Sequence, residues 1–176
     1  AGHPEYFEKL KVWKDPACRD KFGKIPVVYT SFGNCKGRDY QQSIGGMFNS
    51  LYSLYCAHDY LLDSDRLDQD DKTQFRNIRE ALFLRHESVI ESSIRTLCRW
   101  IYKHYEVLPI VLLDEYDTPL LEAYADGYWE PMIATCRGLF HNTFKENEFM
   151  DRAIITGVTK VSKDSLFSDL NNIRTY

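Results

Sequence analysis

Apolar residues fall into two kinds of run along this chain. Three runs are continuous: Ile25 to Phe32, closed by Gly33-Asn34; Leu108 to Leu113, stopped by Asp114; and Arg152 to Val158. Such β-branched, uninterrupted runs predict strands covered on both faces, as in a parallel sheet. Elsewhere the spacing is helical. Ile44, Met47, Phe48, Leu51 and Leu54 form one stripe over Ser43 to Tyr55, and Phe75, Ile78 and Leu82 form a second. A third helix is expected from Ser88, which with Glu91 makes a capping box. Its inward face is Ile90, Ile94, Leu97 and Ile101, and it ends near Lys103-His104, cations suited to a helix C-terminus. Thr118-Pro119 reads as an N-cap followed by proline at the first helical position, and a further helix is expected over Pro131 to Phe144. Strands alternating with helices predict an α/β domain with a mainly parallel sheet flanked by helices.

The second strand carries the most chemistry. Leu112-Leu113 is followed by Asp114-Glu115, so two adjacent carboxylates stand where a buried strand ends. Open α/β sheets bind ligands at the carboxyl ends of their strands. In P-loop ATPases an Asp-Glu pair there is the Walker B element: the Asp holds Mg²⁺, usually through water, and the Glu polarises the attacking water. Spacing alone leaves an ordinary strand end open, because strands close in polar turns and Asp caps helices. Asp117 stands just before the Thr118-Pro119 helix start, where a carboxylate supports the helix electrostatically; second-shell help to a metal is the other reading.

Composition narrows the classes. The 176 residues, 44% hydrophobic and 27% charged, suit a single globular domain rather than a disordered chain. A net charge of −4 gives no direct nucleic-acid signal, whose footprint is basic. No apolar run approaches the roughly 20 residues of a membrane span, and no basic-then-apolar leader opens the chain, so a cytoplasmic setting is expected. The five cysteines are widely spaced, without a C-x-x-C pair, and read as reduced, mostly buried thiols. The aspartates from Asp59 to Asp71 read as a solvated connection; an acidic metal site is the alternative, but the spacing lacks the glycine and terminal glutamate of a calcium loop.

Three blocks in order then resemble one family. They are Ile25 to Phe32; Leu112-Leu113-Asp114-Glu115-Tyr116-Asp117-Thr118-Pro119-Leu120; and Ile155-Thr156-Gly157-Val158-Thr159-Lys160-Val161-Ser162, with the later Ser165-Leu166-Phe167-Ser168-Asp169-Leu170-Asn171-Asn172-Ile173. Together they resemble the AAA-ATPase-like domain family, whose members are predicted P-loop ATPases, many with a restriction-endonuclease-like nuclease domain after the ATPase region. The resemblance implies a P-loop NTPase-like fold of the AAA/STAND type, with ATP and Mg²⁺ as ligands. It implies Asp114 as the metal and cofactor ligand and Glu115 as the catalytic residue that activates water. Thr156 matches the sensor-I polar residue that holds the water, although a strand-terminal threonine bonded to backbone fits as well. Lys160 either meets phosphate or faces solvent. Asn171 and Asn172 match the family signature without an assignable role.

The family pattern also needs a phosphate cradle, G-x-x-x-x-G-K-[ST], and no glycine here supplies it. Gly23-Lys24 is followed by Ile25, and Gly45-Gly46 sits in an apolar stripe, where it allows close packing. Residues 1–176 therefore read as one AAA-ATPase-like domain fragment without its Walker A strand and loop, inactive alone and an ATPase when intact. The loop is expected just upstream in a longer reading frame, with a nuclease or other effector domain and self-association as further expectations. The alternative is a non-catalytic, ATPase-derived domain for protein interaction or self-association.

Overall fold

The computed structural model describes residues 3–145 and 147–158. Its elements run in the order α1 (Pro16–Lys21), β1 (Val27–Ser31), α2 (Tyr40–Ala57), α3 (Gln69–Phe83), α4 (Ile90–Tyr105), β2 (Ile110–Asp114), α5 (Thr118–Asp126), α6 (Trp129–Phe144) and β3 (Arg152–Ile155), with short 3-10 turns between some of them. The strands form a parallel sheet in the order β1-β2-β3. The α/β expectation therefore holds, with each predicted strand in place and β3 shorter than its apolar run. Residues 4–22 form a small aromatic cluster of their own, in which Trp13 and Phe7 both meet Phe22.

Register explains where the core lies. Val28, Val111 and Ala153 align across the sheet, as do Thr30, Leu113 and Ile155. Side chains alternate along a strand, so these residues share a face. That face joins one core with Ile44, Met47 and Leu51 of α2, Ile94 and Leu97 of α4, and Leu139 of α6. The predicted helical stripes are buried as expected: Ile44, Met47, Phe48, Leu51 and Leu54 in α2, and Phe75, Ile78 and Leu82 in α3.

Coverage on both faces does not hold. Val27 is 44% exposed, Tyr29 57% and Ile154 54%, all on the face opposite the core. Continuous apolar runs arise here because the open face is apolar too, although no described helix is packed against it.

Three local expectations also need correction. Ser88 does not cap α4: it lies inside a 3-10 turn over Glu87–Val89, the helix starts at Ile90, and no side chain caps it. Glu91 instead packs beside Gly138, where an added Cβ would stand 2.4 Å from its Oε1. Thr118 is the first residue of α5, with Asp117 at the N-cap and no side-chain cap hydrogen bond. Finally, the aspartate-rich connection is not uniformly solvated. Asp68 caps α3, accepting from the Asp71 N–H at 2.8 Å, and Asp71 is 6% exposed. Burial is tolerable for Asp71 because Trp100 Nε1 donates to it at 3.0 Å and Lys103 Nζ at 2.5 Å.

Gly46 has the packing role expected of it, though against a loop: its missing Cβ would lie 2.4 Å from the Asn34 carbonyl oxygen. This contact holds the loop after β1 against α2. Cys35, Cys98 and Cys136 are buried thiols, whereas Cys18 and Cys56 are exposed. Among the described residues no helix is long and apolar enough to cross a membrane.

Candidate active site

The sheet register that makes one face the core carries three polar residues to the other. Ser31 pairs with Asp114, and Leu113 with Ile155, so Ser31, Asp114 and Thr156 end the three strands at one level. All three follow the phase of Val27, Tyr29, Leu112 and Ile154, and so stand at the carboxyl end of the open face. The ladder continues past the strands: Phe32 N–H donates to Asp114 O at 2.9 Å, and Thr156 N–H to Leu113 O at 2.9 Å. Backbone hydrogen bonds thus hold the row rigidly, without relying on the side chains.

Asp114 and Thr156 are brought together directly. The Thr156 hydroxyl donates a short hydrogen bond to Asp114 Oδ1, which also accepts the Glu115 N–H at 3.1 Å. This geometry joins residues 42 positions apart in sequence and aims the carboxylate along the sheet edge. The Thr156 hydroxyl thus bonds the Asp114 side chain, while its backbone serves the ladder.

Glu115 has an unusual backbone. Its φ is 50°, in the left-handed region. Arg85 and Glu106 also have positive φ, but each follows a helix C-terminus, where left-handed caps are common. Glu115 follows a strand. The left-handed conformation costs a non-glycine residue roughly 1–2 kcal/mol, and such strain gathers at functional sites. It is held by Thr118 N–H donating to Glu115 O at 3.2 Å and by Tyr116 N–H donating to Thr156 O at 3.1 Å. The side chain then lies over Gly33, where an added Cβ would stand 2.7 Å from Oε2, and that oxygen accepts from Thr118 Oγ1 at 3.3 Å.

Asp117 is buried, at 1% exposed, and its carboxylate fills the space over Gly157, where a Cβ would meet Oδ1 at 2.6 Å. It thus serves as packing between the turn after β2 and the residues after β3, and not as a side-chain cap for α5. Lys160, Asn171 and Asn172 lie outside the described residues.

Among the described residues no ion pair reaches Asp114 or Glu115. The chain is matched by a family model for predicted AAA-ATPases over residues 1–167. It belongs to the AAA-ATPase-like family. No curated protein and no solved structure matches it.

In this AAA-ATPase-like chain, reading the sequence missed Ser31, Gly33 and Thr118. Ser31 closes β1 at the level where Asp114 closes β2, a correspondence visible only once the register is known. Gly33 and Thr118 flank Glu115 from two different segments. A groove of about 430 Å³ runs beside the outer edge of β1, against α2, lined by Tyr29, Ser31, Asn34, Asn49, Ser50 and Ser53. It shares only Ser31 with the row of strand ends and contains no charged side chain.

Proposed function

We propose that this chain carries the hydrolytic half of an ATP site related to P-loop NTPases. The observation that supports it most is the strand-end constellation: Asp114 fixed by Thr156 from the neighbouring strand, followed by a left-handed Glu115. Asp114 holds Mg²⁺, Glu115 polarises the attacking water, Thr156 keeps the Asp114 carboxylate directed, and Lys160 meets phosphate charge. The donor atoms suit this cation. The Asp114 carboxylate and the Ser31 and Thr156 hydroxyls are all oxygens, the ligand class Mg²⁺ prefers, and Mg²⁺ commonly takes one or two carboxylates with waters and substrate phosphates. Among the described residues no three His, Cys, Asp or Glu side chains converge to hold a metal unaided. In this reading the cation is shared with the nucleotide. When bound, Mg²⁺ neutralises phosphate charge.

An ATP site of this class also requires a phosphate cradle, and no G-x-x-x-x-G-K-[ST] occurs in the 176 residues. The test is calorimetry on the full-length protein with ATP, with and without Mg²⁺. Saturable binding that strengthens with Mg²⁺ and weakens at least tenfold in Asp114→Ala supports the reading. Binding that ignores both Mg²⁺ and Asp114 defeats it.

A second reading, a non-catalytic self-association domain, draws on the exposed Val27, Tyr29 and Ile154 of the open face. It predicts no ATP binding by the full-length protein, and a change in oligomeric state on Tyr29→Lys.

A further inference from the structure

We propose that Thr118 is a positioning residue for Glu115, acting with the clearance over Gly33 to set where the carboxylate stands. The inference rests on the reading of Glu115 as the group that polarises water.

Three independent features converge on that side chain. The left-handed backbone of Glu115 turns its side chain off the line of β2 and toward the loop after β1. There the missing side chain of Gly33 leaves room for it: a Cβ would approach Oε2, Cδ and Oε1 at 2.7, 2.9 and 3.0 Å. From the other flank, Thr118 Oγ1 donates to Oε2 at 3.3 Å. The remaining contacts of Thr118 are structural, since its N–H returns to Glu115 O at 3.2 Å and closes the turn into α5. Glu115 is exposed, so among the described residues these two contacts are what direct an otherwise long and flexible side chain. A carboxylate that must face one water gains from a single preferred direction, because misplacement of a reacting group costs rate without costing binding.

This separates the role of Thr118 from that of Asp114. Loss of the hydroxyl leaves the metal ligand, the strand ladder and the turn amide intact. It frees only the glutamate. The expected signature is therefore a fall in turnover with unchanged affinity for nucleotide.

The test measures steady-state ATP hydrolysis and Mg-ATP binding on the full-length protein in five variants. Thr118→Val keeps the shape and removes the donor; it should lower kcat about tenfold, the worth of one hydrogen bond to a charged group, with KM within twofold. Thr118→Ser restores the donor and should recover kcat to within about threefold of wild type. Gly33→Ala asks the same question without touching Thr118. The clash falls on the movable end of a side chain, so the fold should persist, with thermal unfolding unchanged, while kcat falls. In a Glu115→Gln background, Thr118→Val should cause no further loss, because the group it positions has already been disabled.

A wild-type protein that hydrolyses ATP and is indifferent to Thr118→Val overturns the positioning role alone. So does a loss that persists undiminished in the Glu115→Gln background, which marks a structural effect. A wild-type protein that binds Mg-ATP without hydrolysing it overturns this inference and the hydrolytic reading together.

Discussion

Asp71 joins α3 to α4, and replacing it should destabilise the fold measurably. Its side chain is 7% exposed and accepts from Trp100 Nε1 at 3.0 Å and Lys103 Nζ at 2.5 Å, with Arg99 at 3.6 Å. Trp100 is fully buried at 0%, and its ring packs against Tyr55 and Phe75 in the core. Asp71→Ala leaves the Trp100 N–H without this acceptor, at roughly 1–3 kcal/mol, and forfeits a charge-assisted bond worth roughly 1.5–3 kcal/mol. Lys103 is 40% exposed and recovers much of its solvation, which lowers the second figure. A net loss of about 3 kcal/mol should lower the melting temperature by roughly 6–12 °C in a domain of this size. Asp71→Asn keeps an acceptor for Trp100 and should lose about half as much.

The pH dependence gives an independent check. Burial pushes the Asp71 carboxyl up, but the hydrogen bonds from Lys103 and Trp100, followed by the charges of Lys103 and Arg99, outweigh it and hold the group below its ordinary value. A carboxyl depressed in the native state stabilises fully above its unfolded pKa, near 3.9, and loses that contribution as pH falls through the native value. The gap between wild type and Asp71→Asn should thus be largest at neutral pH and shrink below about pH 4. Thermal unfolding followed by circular dichroism from pH 7 to pH 2.5 measures both effects. An Asp71→Ala protein melting within 2 °C of wild type at pH 7, or a gap that stays constant into acid, refutes the reasoning.

Two further expectations concern backbone geometry. Glu115→Gly relieves the left-handed strain and should raise stability by about 1 kcal/mol in urea unfolding while abolishing ATP hydrolysis, a stability gain that separates strain from fold. Gly46→Ala places a Cβ against the backbone at Asn34 and Cys35, at 2.4 and 2.8 Å, where neither partner can swing aside. It should destabilise by about 1–3 kcal/mol in the same experiment.

The elements legible in the sequence were those governed by periodicity and by strand ends. The α2 stripe is buried position by position, and β2 ends at Asp114, where the apolar run ends. What escaped was set by distant partners. Ser88 has the residues of a cap, but the chain tightens into a 3-10 turn ahead of Ile90. Asp71 looks like one aspartate among several until Trp100 and Lys103 are folded against it. An apolar run cannot say whether both its faces are covered, and here Tyr29 and Ile154 are left open. In the candidate site, Asp114 and Glu115 announce themselves by charge. Ser31 and Gly33 enter only through sheet register and close approach, neither of which has a local sequence signal.

If Asp114 positions Mg²⁺ and Glu115 polarises the attacking water, single-turnover ATP hydrolysis by the full-length protein reads both roles most directly. Asp114→Ala should lower the rate at least about 100-fold. Glu115→Gln should lower it by a similar factor or more while leaving ATP bound and uncleaved, as expected on losing a general base. Undiminished cleavage in both variants would contradict the account.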